Sequence, residues 1–359
     1  MIHLLFWLAG VGSLIGLCGF VYQALGSRRD LQKFPAPGRF VDMGTHKLHL
    51  LESGQKERPT IVLEAGLMST NLSWTNLQTE LAKSYRVVSY DRAGLGWSDV
   101  GPMPRTADRI VEELHTLLQR AAIPGPYVLV GHSFGGLTMP LFAARFPEEV
   151  AGVVLVDPVV PAEWDPPSEH DRRQTIIGAK ICRRAAFFSK IGVIRFIAFL
   201  LSSGVKKAGA SLVRLMSRGS PGESGTVSSP WFAALPAREK EMAQIFWIQP
   251  KFAVTIASQL ENLPASAARV AECGAFCDKP VVLLSARTAP EHRRNEHAAI
   301  AKRLPLGQHV LAEQSNHWIM QEQPELVLQA IAHVIESSPM TAPTRDAKVL
   351  VSSARSVGA

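Results

Sequence analysis

The 359-residue sequence predicts an α/β protein. Its mostly parallel central sheet has helices on both faces, an inserted helical cap and an N-terminal transmembrane helix. Three observations lead there. Short apolar runs recur as TIVLEAG, RVVSYDR, YVLVGHS, GVVLVDP, PVVLLSA and QHVLAEQ, each with continuous rather than alternating Val, Leu and Ile. Such runs suit strands covered on both faces, as a parallel sheet requires. Helical periods separate them, as in TADRIVEELHTLLQRA, with Ile110, Leu114, Leu117 and Leu118 on one face, and PELVLQAIAHVIES, with Leu326, Ala330, Ile331 and Val334 on one face. Residues 2–25 carry no formally charged side chain apart from the titratable His3.

Taken in order, residues 1–27 read as a membrane anchor, because a helix of this length crosses a hydrocarbon layer of about 30 Å. A cleavable signal would place basic residues ahead of the apolar run, whereas Arg28, Arg29, Lys33 and Arg39 all follow it. That asymmetry assigns the main domain to the cytoplasmic side. LIGLC also lacks the small residue that precedes a lipoprotein cysteine at Cys18.

Residues 39–160 form the first part of the core, opening with a hairpin in RFVDMGTHKLHLLESG. Residues 161–264 interrupt the alternation as the cap, with a flexible connection in SRGSPGESGTVSSP. Within the cap, AAFFSKIGVIRFIAFLLSSGVKK is apolar but contains Lys190 and Arg195. It therefore reads as a helix lining a greasy pocket or resting in a membrane interface, not as a second span. Residues 265–336 complete the core, and the small, polar residues 337–359 form a mobile tail.

Composition bounds the function. With 47% hydrophobic residues the chain can bury a large core. Its 38 Lys and Arg against 31 Asp and Glu give a net charge of +7. The basic residues are scattered, which argues against nucleic acid as a partner and leaves membrane lipid as one. Cys18, Cys182, Cys273 and Cys277 form neither a CxxC pair nor a zinc spacing, so no metal is implied. Whether Cys273 and Cys277 pair is left open.

The chemistry gathers at strand ends. Gly131-His132-Ser133-Phe134-Gly135 is a GxSxG between a strand and a helical stretch. There a sharp turn exposes the serine, and small residues two positions away let chain segments approach. Ser133 is the candidate nucleophile. It needs an imidazole to take its proton and a carboxylate to orient that imidazole. His317 follows the last strand and precedes the last helix; His309 falls inside that strand, and His46, His49 and His115 in a hairpin or helix, as packing residues. Backbone N–H groups of Phe134 and of Leu67, in LEAGLMS, are the candidate oxyanion donors, with Glu64 structural. Pro140 is expected to kink the helix after the elbow.

Together EAGL, YDRAGLGWSD, GHSFGG, VLVDP and SNHW resemble the α/β-hydrolase fold family, in particular its membrane-anchored bacterial serine hydrolases, over residues 39–336. The resemblance implies that DRAGLGWSD supports the site, making Asp91 and Arg92 structural. It also implies an acid shortly after PVVLLSA, where this chain instead has RTAPEH. Asp157 and Glu291 are the contenders. The order Ser133, Asp157, His317 agrees with the hydrolase order, and the need for a rigid, partly buried carboxylate favours Asp157, with Glu291 as the alternative acid. Relatives with an aspartate nucleophile, the haloalkane dehalogenases and epoxide hydrolases, are disfavoured by Ser133.

The expected function is an esterase- or lipase-like serine hydrolase, using no cofactor, that cleaves an ester or related acyl bond of a small hydrophobic substrate through an acyl-enzyme on Ser133. A C–C bond hydrolase or perhydrolase on the same triad is the alternative, with a non-catalytic, membrane-tethered binding protein as the rival from another class. Substrate identity and oligomeric state leave no mark on the sequence.

Overall fold

A computed structural model describes residues 2–55, 59–202, 232, 235–274 and 278–339. The connection SRGSPGESGTVSSP, residues 340–359 of the expected tail, and Cys277 with its pairing to Cys273 lie outside the described residues.

Helix α1 spans Ile2–Lys33 and runs unbroken through the boundary expected at residue 27. Its most apolar window has a mean hydropathy of 2.1 and is 0% buried, so it is no core helix. Among the described residues, one helix is long and apolar enough to cross a membrane.

The central sheet has eight strands in the order β1-β2-β4-β3-β5-β6-β7-β8. Strands β1 (Arg39–Asp42) and β2 (Lys47–Gly54) form the expected antiparallel hairpin, and β2 joins β4 (Arg86–Tyr90) antiparallel. The other neighbours, β3 (Thr60–Glu64), β5 (Tyr127–His132), β6 (Val150–Val156), β7 (Val281–Ala286) and β8 (Gly307–Ala312), pair in parallel. Strands β3 to β7 are buried at every residue, which is why their apolar runs do not alternate.

Two apolar layers cover the sheet. On one face lie α2 (Thr75–Leu81), α11 (Ile319–Glu322) and α12 (Pro324–Ser337), through Leu77, Leu81, Ile319, Val327 and Ile331. On the other lie α3 (Ala107–Arg120) and α4 (Gly135–Arg145). Helix α3 starts where Thr106 accepts from the Arg109 N–H, and it buries the expected face of Ile110, Leu114, Leu117 and Leu118. Between β6 and β7 come α5 (Glu169–Lys190), α6 (Val193–Ser202), α7 (Ala237–Trp247), α8 (Pro250–Glu261) and α9 (Leu263–Ala271). Helix α10 (Glu291–Arg303) follows β7.

The chain leaves β3 toward β4 on one side and resumes at β5 on the other. At such a reversal the loops after two neighbouring strands splay apart, leaving a crevice at their carboxyl ends. The loops after β3 and β5, with Leu67 and Ser133, flank that crevice.

Candidate active site

Ser133 follows β5 in a left-handed backbone conformation, φ 53°. Non-glycine residues pay for that conformation, and here the surroundings hold it in place. The Ser133 N–H donates to the Val156 carbonyl at 3.0 Å, while its own carbonyl accepts from Gly136 and Val159, each at 2.8 Å. A Cβ on Gly131 would stand 2.6 Å from the Gly135 carbonyl oxygen, and one on Gly66 would stand 2.8 Å from Nδ1 of His132. The turn is therefore closed to any larger residue at either place.

His317 sits in the loop after β8. Its Nδ1 lies 2.6 Å from Oδ2 of Asp157, the residue after β6. The Asp157 backbone is itself left-handed, φ 41°. Its Oδ1 accepts the Ala286 N–H at 3.0 Å, and its own N–H donates to Leu284 at 2.7 Å, so the end of β7 positions the carboxylate. Burial alone would push this carboxyl up; the His317 hydrogen bond and charge, helped by the Ala286 N–H, outweigh it and hold the group below the ordinary range. Glu291, by contrast, is exposed at the first residue of α10. The structure brings Asp157, not Glu291, to His317.

Sequence reasoning missed His132. Strand alternation turns its ring away from the Ser133 side, into a pocket between Trp74, His317 and Trp318, with ring centroids 6.4, 4.6 and 4.7 Å away. Its Nε2 lies 2.8 Å from the His317 carbonyl oxygen, tying the elbow to the His317 loop. Burial, then repulsion from His317, lowers its pKa to about 3, so it is neutral and Nε2 carries the donated proton. Its place beside the candidate nucleophile was the available signal.

A second unread feature is the support of Asp157 from behind. His297 makes hydrogen bonds with the Pro158 carbonyl at 2.9 Å and with Ser285 Oγ at 2.7 Å, and Ser285 in turn meets His309 at 2.7 Å. Burial lowers the His297 pKa to about 4.

The loop bearing Leu67 is clamped from below. Arg92 donates to the carbonyls of Ala65 and Gly66, each at 2.6 Å, pairs with buried Glu64, and stands 5.3 Å over the Phe134 ring. Tyr90 donates to the other oxygen of Glu64. Burial raises the Glu64 pKa, and the Arg92 charge opposes it. Asp91 holds neighbouring turns by accepting from the N–H groups of Asn71 at 3.0 Å and Trp97 at 3.1 Å, and from His49. Glu64, Asp91 and Arg92 thus occupy the supporting positions expected of them. Among the described residues, neither the Leu67 nor the Phe134 N–H has an acceptor.

Over the crevice, Phe252 and Ile256 of α8 pack with Leu95, and Leu67, Met68, Cys182 and Trp247 join them. Helix α8 is fixed there by Lys251, which donates to Gly96 at 2.8 Å and Ser98 at 2.7 Å. The arrangement supplies a half-buried serine on a tight turn, a histidine oriented by a carboxylate, two unused amide donors and an apolar roof. Among the described residues no group of three or more His, Cys, Asp or Glu is placed to hold a metal ion.

The profile of the Alpha/beta hydrolase family matches residues 61–330, more than half of the chain. By sequence the chain is 37% identical over 124 residues to a probable transporter, efuK, of Hormonema carpetanum, across 33% of this chain and 18% of that protein. It is 34% identical over 105 residues to an AB hydrolase superfamily protein of Gibberella zeae, across 28% of this chain and 33% of that one. The chain thus spans less than half the length of these curated relatives. By structure it is similar to a thermophilic esterase from Thermogutta terrifontis, with a TM-score of 0.58 and 21% identity over 82% of this chain and 96% of that one. At that identity the likeness is one of fold alone.

Proposed function

The chain belongs to the Alpha/beta hydrolase family, and on that premise we propose that it is a serine hydrolase of membrane-associated, hydrophobic acyl substrates, with Ser133, His317 and Asp157 as its triad. The observation that carries the reading is the 2.6 Å contact between His317 Nδ1 and Asp157 Oδ2, at the mouth of the crevice that Ser133 enters on a strained turn. His317 takes the Ser133 proton on Nε2 as Oγ attacks the acyl carbonyl, and Asp157 stabilises the imidazolium that forms. The oxyanion is received by the Leu67 and Phe134 N–H groups. His317 then returns its proton to the leaving oxygen, an acyl group remains on Ser133, and water activated by the same histidine releases it. No step calls for a cofactor.

The preference for an apolar acyl group is supported by the roof of Phe252, Ile256 and Trp247 beside Leu67 and Met68. Helix α1 is read as the membrane anchor, with the catalytic domain on the cytoplasmic side. The test is labelling of the full chain with a fluorophosphonate probe, followed by a screen of acyl esters of graded chain length. Labelling lost in Ser133→Ala and a preference for longer acyl chains are expected; equal labelling of that variant would refute the assignment of the nucleophile.

A further inference from the structure

Helix α1 is two helices in one by its surroundings. At Gly10, Gly12 and Gly16 no atom of another element lies within 4 Å of where a side chain would begin. From Gly19 onward it is docked. A Cβ on Gly19 would meet the Ile191 carbonyl oxygen at 2.1 Å, and one on Gly192 would meet the Gly19 carbonyl oxygen at 2.5 Å, so the corner between α5 and α6 rests on α1 backbone to backbone. Past that corner the contact is polar. Gln23, 4% exposed, accepts from Arg195 Nε at 3.0 Å. Ser27 donates to Gln249 at 2.9 Å, Arg195 donates to Asp30 at 2.6 Å, and Lys33 pairs with Glu241. The cap therefore holds α1 rigidly in line.

That lock fixes where the cap lies relative to any bilayer that α1 crosses. At about 1.5 Å per residue a hydrocarbon layer of about 30 Å takes up about 20 residues, and it must end ahead of the guanidinium that binds Gln23, near Val21. Gln23, where the polar contacts begin, falls just outside it. The corner at Ile191 and Gly192, level with Gly19, falls at its edge. One helical turn to either side of that corner stand Phe187, 60% exposed, and Phe196, 49% exposed. The Ile191 N–H donates to the Phe187 carbonyl and the Phe196 N–H to the Gly192 carbonyl, so each residue lies one hydrogen-bonded turn from the corner. Lys190, also exposed, completes the corner.

Resting on the reading of α1 as the anchor, we propose that this corner is a second membrane contact, with Phe187 and Phe196 seated in the interfacial layer of the bilayer that α1 crosses. Aromatic rings are favoured at that depth, and a lysine reaches from it to lipid phosphates. Two exposed phenylalanines that would otherwise cost free energy in water are then covered by lipid. The occupant is the bilayer itself, because the corner is continuous with the helix that enters it. The cap is thereby held against the membrane at one edge.

The test places the photocrosslinking residue benzoylphenylalanine in the full chain at Phe187, Phe196, Leu14 or Leu306, reconstituted in phosphatidylcholine and phosphatidylglycerol vesicles with tagged acyl chains. Leu306 is an exposed control, 51% accessible, at the edge of the sheet opposite Ser133. Lipid adducts at Phe187 and Phe196 severalfold above Leu306 are expected. Adducts at Leu14 with Phe187 and Phe196 no higher than Leu306, or crosslinks from them to a second copy of the chain, would overturn the proposal and leave the anchor standing. Adducts at Phe187 and Phe196 without any at Leu14 would keep the lipid contact and refute the anchor. No adduct at any of the three would overturn both.

Discussion

Asp157 occupies a place the family pattern does not point to, after β6 rather than after β7. The two sites are physically close, because β7 lies beside β6 and the Ala286 N–H at the end of β7 binds the Asp157 carboxylate. A sequence shows chain position and not adjacency, so it favours Asp157 while leaving Glu291 as an alternative, and it is the fold that brings Asp157 to His317. If Asp157 orients the imidazole, Asp157→Asn should lower kcat by about 10⁴ by leaving the wrong tautomer, while Glu291→Gln should leave kcat near that of the parent. Steady-state kinetics on an acyl ester, with melting curves of both variants, checks this; a larger loss from Glu291→Gln would move the acid.

His132 gives folding stability a pH dependence. Its pKa is about 3 when folded and 6.5 when unfolded. Between those values the unfolded chain binds the proton and the folded chain does not, so stability is full above pH 6.5 and is lost as pH falls toward 3. His297 adds the same sign between 6.5 and about 4. Melting temperature should fall between pH 7 and pH 5, and less steeply in His132→Gln, which has no proton to take up.

At the scale of elements, the strands were legible because parallel strands buried on both faces leave uninterrupted apolar runs, and α3 because its apolar period matched the face it buries. Pro140, expected to kink the helix after the elbow, lies buried inside α4, which continues from Gly135 to Arg145, so the proline does not end the helix. Gly131 was legible as a residue that the tight elbow keeps small, since the start of α4 closes on it, whereas the full reason for Gly66, the approach of the β3 loop to His132 and Ser133 of the elbow, was not. That approach is held by the Arg92 and Glu64 pair, in which the side chains are 2% and 0% exposed. Removing one member of a buried pair leaves the other charged and unsatisfied, at a cost of about 3–5 kcal/mol. Arg92→Met should therefore lower stability by about that amount, measured by denaturant unfolding, and should reduce kcat further than the lost stability explains, because the Leu67 donor loses its support. A double variant, Arg92→Met with Glu64→Gln, should recover much of the stability and little of the kcat.

Over the whole molecule, an apolar N-terminal run was plain in the composition, but its division of labour was not. The contacts that split α1 at Gly19 are made by residues more than 160 positions away, Arg195 and Gln249 among them, and no local pattern announces them. They move the point at which the apolar run can be removed harmlessly. A cut at residue 27 would take Gln23 and Ser27 from Arg195 and Gln249, whereas a cut after Cys18 removes, among the described residues, no side chain hydrogen-bonded to the cap. Deleting residues 1–18 should leave the melting temperature unchanged and abolish resistance to carbonate extraction. Deleting residues 1–33 strips Arg195 of Gln23, Ser27 and Asp30 together. That deletion also uncovers the guanidinium to water, so the loss is that of these contacts, each worth about 0.5–1.5 kcal/mol net, and in a domain of this size it lowers the melting temperature by a few degrees. Equal melting temperatures for the two truncations would mean that α1 is a free tether, and that the cap is not fixed in line with it.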